Sequence, residues 1–244
     1  MRARQRHLNP KAAGATVVFD SRYITGLSDG SNVSSWSDRS GNSKNATTAS
    51  NYPTYETDGQ GGNPVVRFVR ESSQRLACSS SAYSGSGSKF LMVAYKSTIT
   101  GTYNSVAAGQ SGQIFAFGIW FQIQARNDAV AVGDPFMSCY GLPNSTQNNK
   151  STPDNIWKVA TGAYDGTTLF TRKNSAQIDS VATATTNNTQ NSVFRIGCAD
   201  DNGTLNNFWG GDIAYIAAGP MTYSVPTLRR LEHAMGLSFK IACS

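Results

Sequence analysis

Residue types that carry most enzyme chemistry are scarce in this sequence. It contains three glutamates and two histidines, which are Glu56, Glu71, Glu232, His7 and His233. A glycoside hydrolase needs two carboxyl groups about 5.5 Å apart for retention or about 6.5–9.5 Å apart for inversion, and isolated carboxylates reach such a pair only through tertiary contacts. A serine or cysteine nucleophile needs a histidine base, and these histidines lie in an N-terminal arm and in a predicted helix. We therefore predict no catalytic residues and a protein that is not an enzyme.

Motifs for phosphate, zinc and redox chemistry are also absent from the sequence. It has no G-x-x-x-x-G-K, no H-E-x-x-H and no C-x-x-C, which are the patterns of phosphate loops, zinc proteases and zinc or thiol-redox sites. Among the four cysteines, Cys78 and Cys198 each share a predicted strand face with apolar residues, so we expect small core residues rather than disulfide partners. Free thiols and the lack of a signal-peptide pattern favour folding in a reducing cytosol.

Positive charge is concentrated near the N-terminus. The 244-residue chain has a formal net charge of +6, and four of its cations lie within the first eleven residues, at Arg2, Arg4, Arg6 and Lys11. The rest of the chain is close to neutral, which gives no indication of a nucleic-acid groove. Residues 1–12 show no hydrophobic periodicity, so we predict a basic arm that is flexible unless it docks on a partner. One domain at 13–244 is predicted to follow it.

Short apolar stretches separated by turn-forming residues indicate an all-β protein. The chain is 39% hydrophobic and only 15% charged, with 23 glycines, whereas long helices are normally rich in Glu, Lys and Ala. Asp165-Gly166 predicts a two-residue hairpin turn between two of the strands. The predicted strands lie at 16–20, 65–69, 74–78, 89–96, 105–108, 114–124, 156–164, 168–172, 178–182, 192–198 and 208–217.

One helix is predicted near the C-terminus. Ser224 is its expected capping residue, and Pro226 lies in its first turn. Leu228, Leu231 and Met235 form its apolar face, and Gly236 is its expected stop. Beyond it, the alternation of Leu237, Phe239 and Ile241 predicts a short closing strand. No apolar run in the sequence approaches the ~20 residues that cross a bilayer, so we predict no membrane span.

Five stretches, taken in their order along the chain, carry a resemblance to a known family. They are Trp36-Ser37-Asp38-Arg39-Ser40-Gly41-Asn42, Asn63-Pro64-Val65-Val66-Arg67-Phe68, Trp157-Lys158-Val159-Ala160-Thr161 through Tyr164-Asp165-Gly166, Phe194-Arg195-Ile196-Gly197, and Phe208-Trp209-Gly210-Gly211-Asp212-Ile213-Ala214-Tyr215-Ile216. Together they resemble the concanavalin A-like lectins and laminin-G-like jelly rolls. The resemblance implies a two-sheet antiparallel jelly-roll sandwich with one short C-terminal helix, in which Trp36, Trp157 and Trp209 are expected core anchors. Glycanases of this superfamily carry a strand motif Glu-x-Asp-x-x-Glu, which this sequence lacks.

Laminin-G-like domains often bind one calcium ion, and the resemblance implies a candidate site with oxygen ligands. Asp200-Asp201-Asn202-Gly203 and the loop with Asp38 and Asn42 offer such oxygens. Asx turns use the same residues, so calcium stays an open alternative and no metal ligand is assigned. A lectin needs directed hydrogen-bonding groups and a stacking aromatic. The candidate glycan-binding residues are Tyr103, Tyr140, Asp200, Asp201, Asn202 and Trp209.

The segment 231–244 resembles the endings of laminin-G-like domains in phage and environmental bacterial proteins. This resemblance implies a structural or adhesive virion component, such as a head decoration or tail-fibre module, made in the host cytoplasm and exposed on the particle surface. The arm would dock on other virion proteins or on another copy of the chain, and the sandwich would meet host-surface glycans. A stand-alone carbohydrate-binding lectin is the alternative interpretation, and a glycoside hydrolase is the third.

Overall fold

The structure is a computed structural model, and it describes residues 14–78, 87–98, 112–117, 121–128, 131–138, 155–182, 193–201, 204–206, 208–222 and 224–243. The arm at 1–12 and the predicted strand at 105–108 lie outside these residues. Within the described part of the chain, no helix has the length and apolar character that crossing a membrane requires.

Eighteen strands and one α-helix lie within the described residues. The helix, α1, is Val225–Phe239, and short 3-10 helices lie at Ser21–Tyr23, Gln60–Gly62 and Arg70–Ser72. In chain order the strands are β1 (Val17–Asp20), β2 (Ser31–Asn32), β3 (Ser35–Trp36), β4 (Ala46–Thr47), β5 (Thr54–Glu56), β6 (Val65–Phe68), β7 (Leu76–Cys78), β8 (Lys89–Ser97), β9 (Gly112–Phe117), β10 (Phe121–Asp128), β11 (Ala131–Ser138), β12 (Lys158–Tyr164), β13 (Thr168–Lys173), β14 (Ala176–Ala182), β15 (Phe194–Ile196), β16 (Ala199–Asp201), β17 (Thr204–Asn206) and β18 (Gly211–Pro220).

Two antiparallel sheets form a sandwich, which confirms the predicted fold class. The larger sheet has the order β14-β13-β12-β8-β18-β6-β5-β2, and β1 pairs with β18 beside β6. The smaller sheet has the order β11-β10-β9-β15-β7-β4-β3, and β16 pairs only with β17. Consecutive strands pair as hairpins in β9 to β11 and in β12 to β14, whereas the central pairings of β8 and β6 with β18 join segments that are far apart in sequence.

Strand β8 shows how residue alternation builds two apolar clusters. Successive side chains of a strand point to opposite faces. One face of β8 packs between the sheets with Trp36 and Trp209, and the other packs under α1. The inner residues are Leu91, Val93 and Tyr95, and the outer residues are Phe90, Met92 and Ala94. Because α1 covers the outer face, β8 is apolar on both sides rather than alternating.

Several predicted core residues are confirmed, and one is corrected. Trp36, Trp209 and Cys78 are buried between the sheets, and Cys198 is also buried. Trp157 is only partly buried and packs on the outer cluster beside α1, so the prediction that it anchors the core between the sheets is wrong. It directly precedes β12, at the rim of the outer face.

The helix extends farther than predicted. It runs through Gly236 to Phe239, and Lys240 ends it with a left-handed φ of 53°. The predicted stop and the predicted closing strand are therefore wrong. Phe239 adds another turn to the buried face, and burying that ring outweighs the cost of about 1 kcal/mol for a helical glycine. Glycine suits position 236 because a Cβ there would lie 2.5 Å from the Cys243 Sγ.

Two other sequence predictions are corrected by strand pairing. The apolar run at 114–124 was predicted as one strand, but it contributes to two, because β9 and β10 pair with Phe117 opposite Phe121. The hairpin at Asp165-Gly166 is confirmed, but Tyr164 pairs with Leu169, so four residues rather than two separate them. The Asp165 carboxylate accepts the Thr168 N–H at 2.7 Å and closes this longer turn.

Candidate functional site

Most of the site residues predicted from the sequence lie outside the described residues. Tyr103, Tyr140 and Asn202 lie outside the described residues, and so do the arm cations Arg2, Arg4, Arg6 and Lys11. Asp200 and Asp201 belong to β16, which pairs with β17. Asp200 and Asp201 are therefore strand residues, because backbone pairing with 204–206 overrides the turn preference on which the Asx-turn alternative depends.

Trp209 is removed from the candidates for sugar stacking. Its side chain is 0% exposed, and its ring packs edge-on against Tyr95 with the ring centroids 5.6 Å apart. A ring with no exposed surface cannot meet a sugar from solvent. The core position that its size favours is what the structure shows.

The calcium candidate Asp38 is surrounded by hydrogen-bond donors. Its Oδ1 accepts the N–H groups of Val18 at 2.9 Å and Ser40 at 2.8 Å. Its Oδ2 accepts the Ser40 hydroxyl at 2.7 Å and the Lys44 N–H at 3.1 Å. Asn42 turns its amide toward the Thr16 carbonyl at 3.0 Å. Asp38 therefore ties the loop at 38–44 to β1, as the Asx-turn interpretation predicts.

This environment suits an ionised carboxylate without a metal. Partial burial opposes ionisation of Asp38, but hydrogen bonds from Ser40, Val18 and Lys44 outweigh it, so the pKa of Asp38 lies below its ordinary value. Both oxygens already face N–H and O–H groups, which a calcium ion would have to displace. Among the described residues, no group of three or more His, Cys, Asp or Glu side chains is placed to hold a metal ion.

The larger sheet carries a line of polar side chains that sequence reasoning missed. Asn32 of β2 lies opposite Thr54 of β5, Thr54 opposite Arg67 of β6, Arg67 opposite Asp212 of β18, and Asp212 opposite Lys96 of β8. Directly opposed residues share a face, so these five form one line across five strands. We call these five residues the polar row.

The polar row lies on the outer face of the sandwich. Arg67 stands between Val66 and Phe68, which point into the core between the sheets, so it points the other way. This is the face on which α1 packs. The Arg67 side chain is 40% exposed and the Lys96 side chain is 22% exposed. The row therefore lies on the part of the face that α1 leaves open.

Ion pairs hold the middle of the polar row in place. Arg67 contacts Asp212 through Nε at 2.7 Å and Nη2 at 3.1 Å. Lys96 Nζ lies 3.2 Å from the second Asp212 oxygen. Glu56 contacts Arg67 Nη1 at 3.1 Å and accepts the Thr54 hydroxyl at 3.1 Å. The Asp212 hydrogen bond is the main reason that the pKa of Arg67 is raised. Asp212 is 1% exposed, so it orients two cations whose outer surfaces remain accessible.

An aromatic side chain continues the polar row beyond Lys96. Lys96 Nζ lies 5.8 Å from the centre of the Trp157 ring, within the range of a cation–π contact. Trp157 is partly exposed, and its neighbour Ile156 is 49% exposed. The outer face therefore combines hydrogen-bonding groups with an aromatic edge at the end of the row.

A second charged pair is buried between α1 and the larger sheet. Arg172 Nε lies 2.9 Å from Glu232 Oε1, and the two side chains are 4% and 1% exposed. Arg172 also donates through Nη2 to the Ser175 carbonyl. Burial raises the pKa of Glu232, and Arg172 and Thr161 oppose the rise. The predicted helix contains Glu232, but the sequence does not identify its partner. Glu232 lies four residues after Leu228, on the apolar face of the helix, and this position was the available signal that its carboxylate is buried.

The comparisons with known proteins identify relatives by fold alone. No known protein family and no curated protein matches the chain. Domain 4 of AbnA, a GH43 extracellular arabinanase from Geobacillus stearothermophilus, solved in complex with arabinotriose, is similar with a TM-score of 0.59 and 14% identity, over 90% of this chain and 98% of that one. The binding domain of Paraclostridial Mosquitocidal Protein 1 is similar with a TM-score of 0.65 and 11% identity, over 92% of this chain and 53% of that one.

A toxin structure shares the same fold. Botulinum neurotoxin type C, whose cell entry depends on interaction with two ganglioside molecules, is similar with a TM-score of 0.52 and 9% identity, over 93% of this chain and 52% of that one. This chain spans about half the length of the mosquitocidal and botulinum chains, and nearly all of the arabinanase domain. These likenesses establish a β-sandwich shared with carbohydrate-binding and receptor-binding domains.

Proposed function

We propose that this chain is a non-catalytic carbohydrate-binding domain and that the polar row with Trp157 is its ligand surface. The observation that carries the proposal is the row itself, which presents accessible donors, acceptors and an aromatic ring on one open face. The similarity to a domain of nearly equal length that was solved with arabinotriose supports a sugar as the ligand.

The composition of the row suits hydroxyl groups. Arg67 and Lys96 donate hydrogen bonds, Glu56 accepts them, and Asn32 does both. A sugar hydroxyl is also both a donor and an acceptor. The ion pairs around Asp212 fix the donors before a ligand arrives, so binding loses less side-chain entropy than it would with free side chains.

The same ion pairs support a binding role rather than catalysis. A general acid in glycoside hydrolysis has to deliver a proton to the leaving oxygen. Glu56 and Asp212, the carboxylates in contact with Arg67, instead accept its N–H groups. Glu232 belongs to α1, and its buried side chain pairs with Arg172 of the larger sheet, away from the open face.

A glycan-array screen of the full-length protein tests this proposal. We expect saturable binding both with calcium and with a chelator, because Asp38 is occupied by protein donors. Arg67→Met should remove the signal. Arg230→Met, on an exposed position of α1, makes the same change away from the row and should leave it intact. Folded wild-type protein that binds no glycan in either condition would refute the proposal.

The proposal extends to assembly, where the arm supports a role on a virion surface. Four cations within eleven residues at Arg2, Arg4, Arg6 and Lys11 suit docking on acidic groups of another virion protein or of a second copy. The sandwich would then be displayed outward, toward host-surface glycans. Deleting residues 2–11 should abolish incorporation into particles and leave the unfolding transition of the sandwich unchanged. Normal incorporation of the truncated chain would contradict this role.

A further inference from the structure

The polar row has a length and a direction that restrict its ligand. It crosses β2, β5, β6, β18 and β8 and continues to Trp157, which precedes the first residue of β12. Neighbouring strands lie about 4.8 Å apart, so the five spacings from Asn32 to Trp157 cover about 24 Å. The row runs perpendicular to the strands. A ligand that contacts all of it must therefore be long and extended.

Within the described part of the chain, both ends of the row are accessible. Asn32 is exposed at the last strand of the sheet, and Trp157 is partly exposed at the other end. The apolar cluster beneath α1 borders the strip along one side, where Val65 and Ala94 continue the strands of Arg67 and Lys96. A strip with accessible ends accommodates the interior of a polymer, whereas a closed pocket selects a chain end or a single small molecule.

The described charges of the strip include at least as many carboxylates as cations. Arg67 and Lys96 are matched by Asp212 and Glu56 through the contacts described above. Asp29 lies nearby, and its pKa is lowered by hydrogen bonds from Thr57 and by the charge of Arg67. The described residues of this surface therefore offer no excess positive charge to attract a uronate or a sulfated sugar. Their directed hydrogen-bonding groups suit a neutral glycan.

We infer that the polar row binds an internal segment of a neutral, linear polysaccharide that lies across the strands from Asn32 to Trp157. This inference rests on the proposed carbohydrate-binding function and adds the class and orientation of the ligand. Hydroxyl groups along the polysaccharide contact Asn32, Thr54, Arg67 and Lys96. The apolar face of the Trp157 ring packs against the sugar at the end of the bound segment.

Calorimetric titration with oligosaccharides of increasing length tests the inference. The probes are linear arabino-, xylo- and gluco-oligosaccharides from the monosaccharide to the hexasaccharide, with oligogalacturonides as the acidic set. For a neutral series that binds, affinity should rise with length and level off once the sugar spans about 24 Å. The acidic series should bind at least about tenfold more weakly, a difference of about 1.4 kcal/mol.

End-specific variants give the decisive comparison. Asn32→Ala and Trp157→Ala should bind short oligosaccharides like the wild type but level off at a shorter length, with about tenfold weaker binding of the longest probe. Arg67→Met should lose binding at every length. Tyr23→Ala removes an exposed aromatic outside the row and should behave as the wild type. Circular dichroism and urea unfolding establish that each variant is folded.

The outcomes separate this inference from the function on which it rests. Glycan binding with a length dependence that the two end variants leave unchanged overturns the inference and leaves the proposed function standing. Strongest binding of a monosaccharide, or of the acidic series, does the same. Absence of binding to every probe by folded wild-type protein overturns both.

Discussion

Replacing Arg172 with methionine should destabilise the protein strongly, because it leaves a buried carboxylate without a partner. Glu232 is 1% exposed, and its Oε1 accepts from Arg172 Nε at 2.9 Å. Its Oε2 accepts no hydrogen bond from the described residues. Removing one partner of such a pair typically costs about 3–5 kcal/mol, which is a large part of the ~5–15 kcal/mol that stabilises a domain.

The assay is urea unfolding of the full-length chain, with the midpoint and slope compared between variants. Arg172→Met should lower the midpoint by an amount equivalent to about 3–5 kcal/mol. Adding Glu232→Gln should recover about 2 kcal/mol or more, because a neutral amide costs less to bury than a carboxylate. The control Arg230→Met changes an exposed arginine on α1 and should stay within about 0.5 kcal/mol of the wild type.

The same pair sets a dependence of stability on pH. Burial raises the pKa of Glu232, while Arg172, Thr161 and Arg229 oppose the rise. The native state therefore holds the Glu232 proton more tightly than the unfolded chain does. The contribution of protonated Glu232 to stability is fully present below the pKa that Glu232 has in the unfolded chain. It is lost as the pH rises through the pKa that Glu232 has in the folded protein. Arg172→Met should steepen this loss between acid and neutral pH, and the double variant should abolish it.

Two results would refute this reasoning. If Arg172→Met is no more destabilising than Arg230→Met, the pair is not buried in solution. If Glu232→Gln recovers no stability in the Arg172→Met background, the loss came from packing rather than from the orphaned charge. Either result would contradict the contacts that join α1 to the larger sheet.

Three further predictions concern other parts of the sandwich. Asp38→Asn should lower the free energy of unfolding in urea by about 1–3 kcal/mol. It should also flatten the loss of stability that occurs as the pH falls through the lowered pKa of Asp38. The control Asp58→Asn changes an exposed carboxylate and should have neither effect. Gly236→Ala should lower the thermal midpoint despite the higher helix propensity of alanine, because the alanine Cβ would lie 2.5 Å from the Cys243 Sγ. An unchanged or raised midpoint would contradict that packing. Burial raises the pKa of Cys78 to about 12, so iodoacetamide should modify Cys78 only after unfolding, as detected by peptide mass spectrometry. Labelling of the native protein at the rate of the unfolded protein would contradict the burial of Cys78.

Elements that depend on local pattern were predictable from the sequence. The apolar spacing of Leu228, Leu231 and Met235 located the helix, and the strands at 65–69 and 89–96 match β6 and β8 within a residue or two. The short strands β2 to β5 were missed because each has only two or three residues. Such strands exist through pairing with distant partners, and their own sequence carries little periodicity.

The candidate site was less accessible to sequence reasoning. Arg67 and Asp212 are 145 residues apart, and only the register between β6 and β18 brings them together. A signal was nevertheless present, since each is a charged residue inside an otherwise apolar strand. Trp209 drew attention instead because an aromatic ring suits a sugar, but residue type alone does not give burial.

The location of a bound glycan tests the central claim most directly. A crystal structure of the full-length protein with a neutral linear oligosaccharide should show the sugar on the outer face of the larger sheet. The account predicts contacts from Asn32 through Arg67 to Trp157, with the glycan chain perpendicular to the strands. A glycan bound on the smaller sheet, or at Tyr103 or Tyr140, would contradict it.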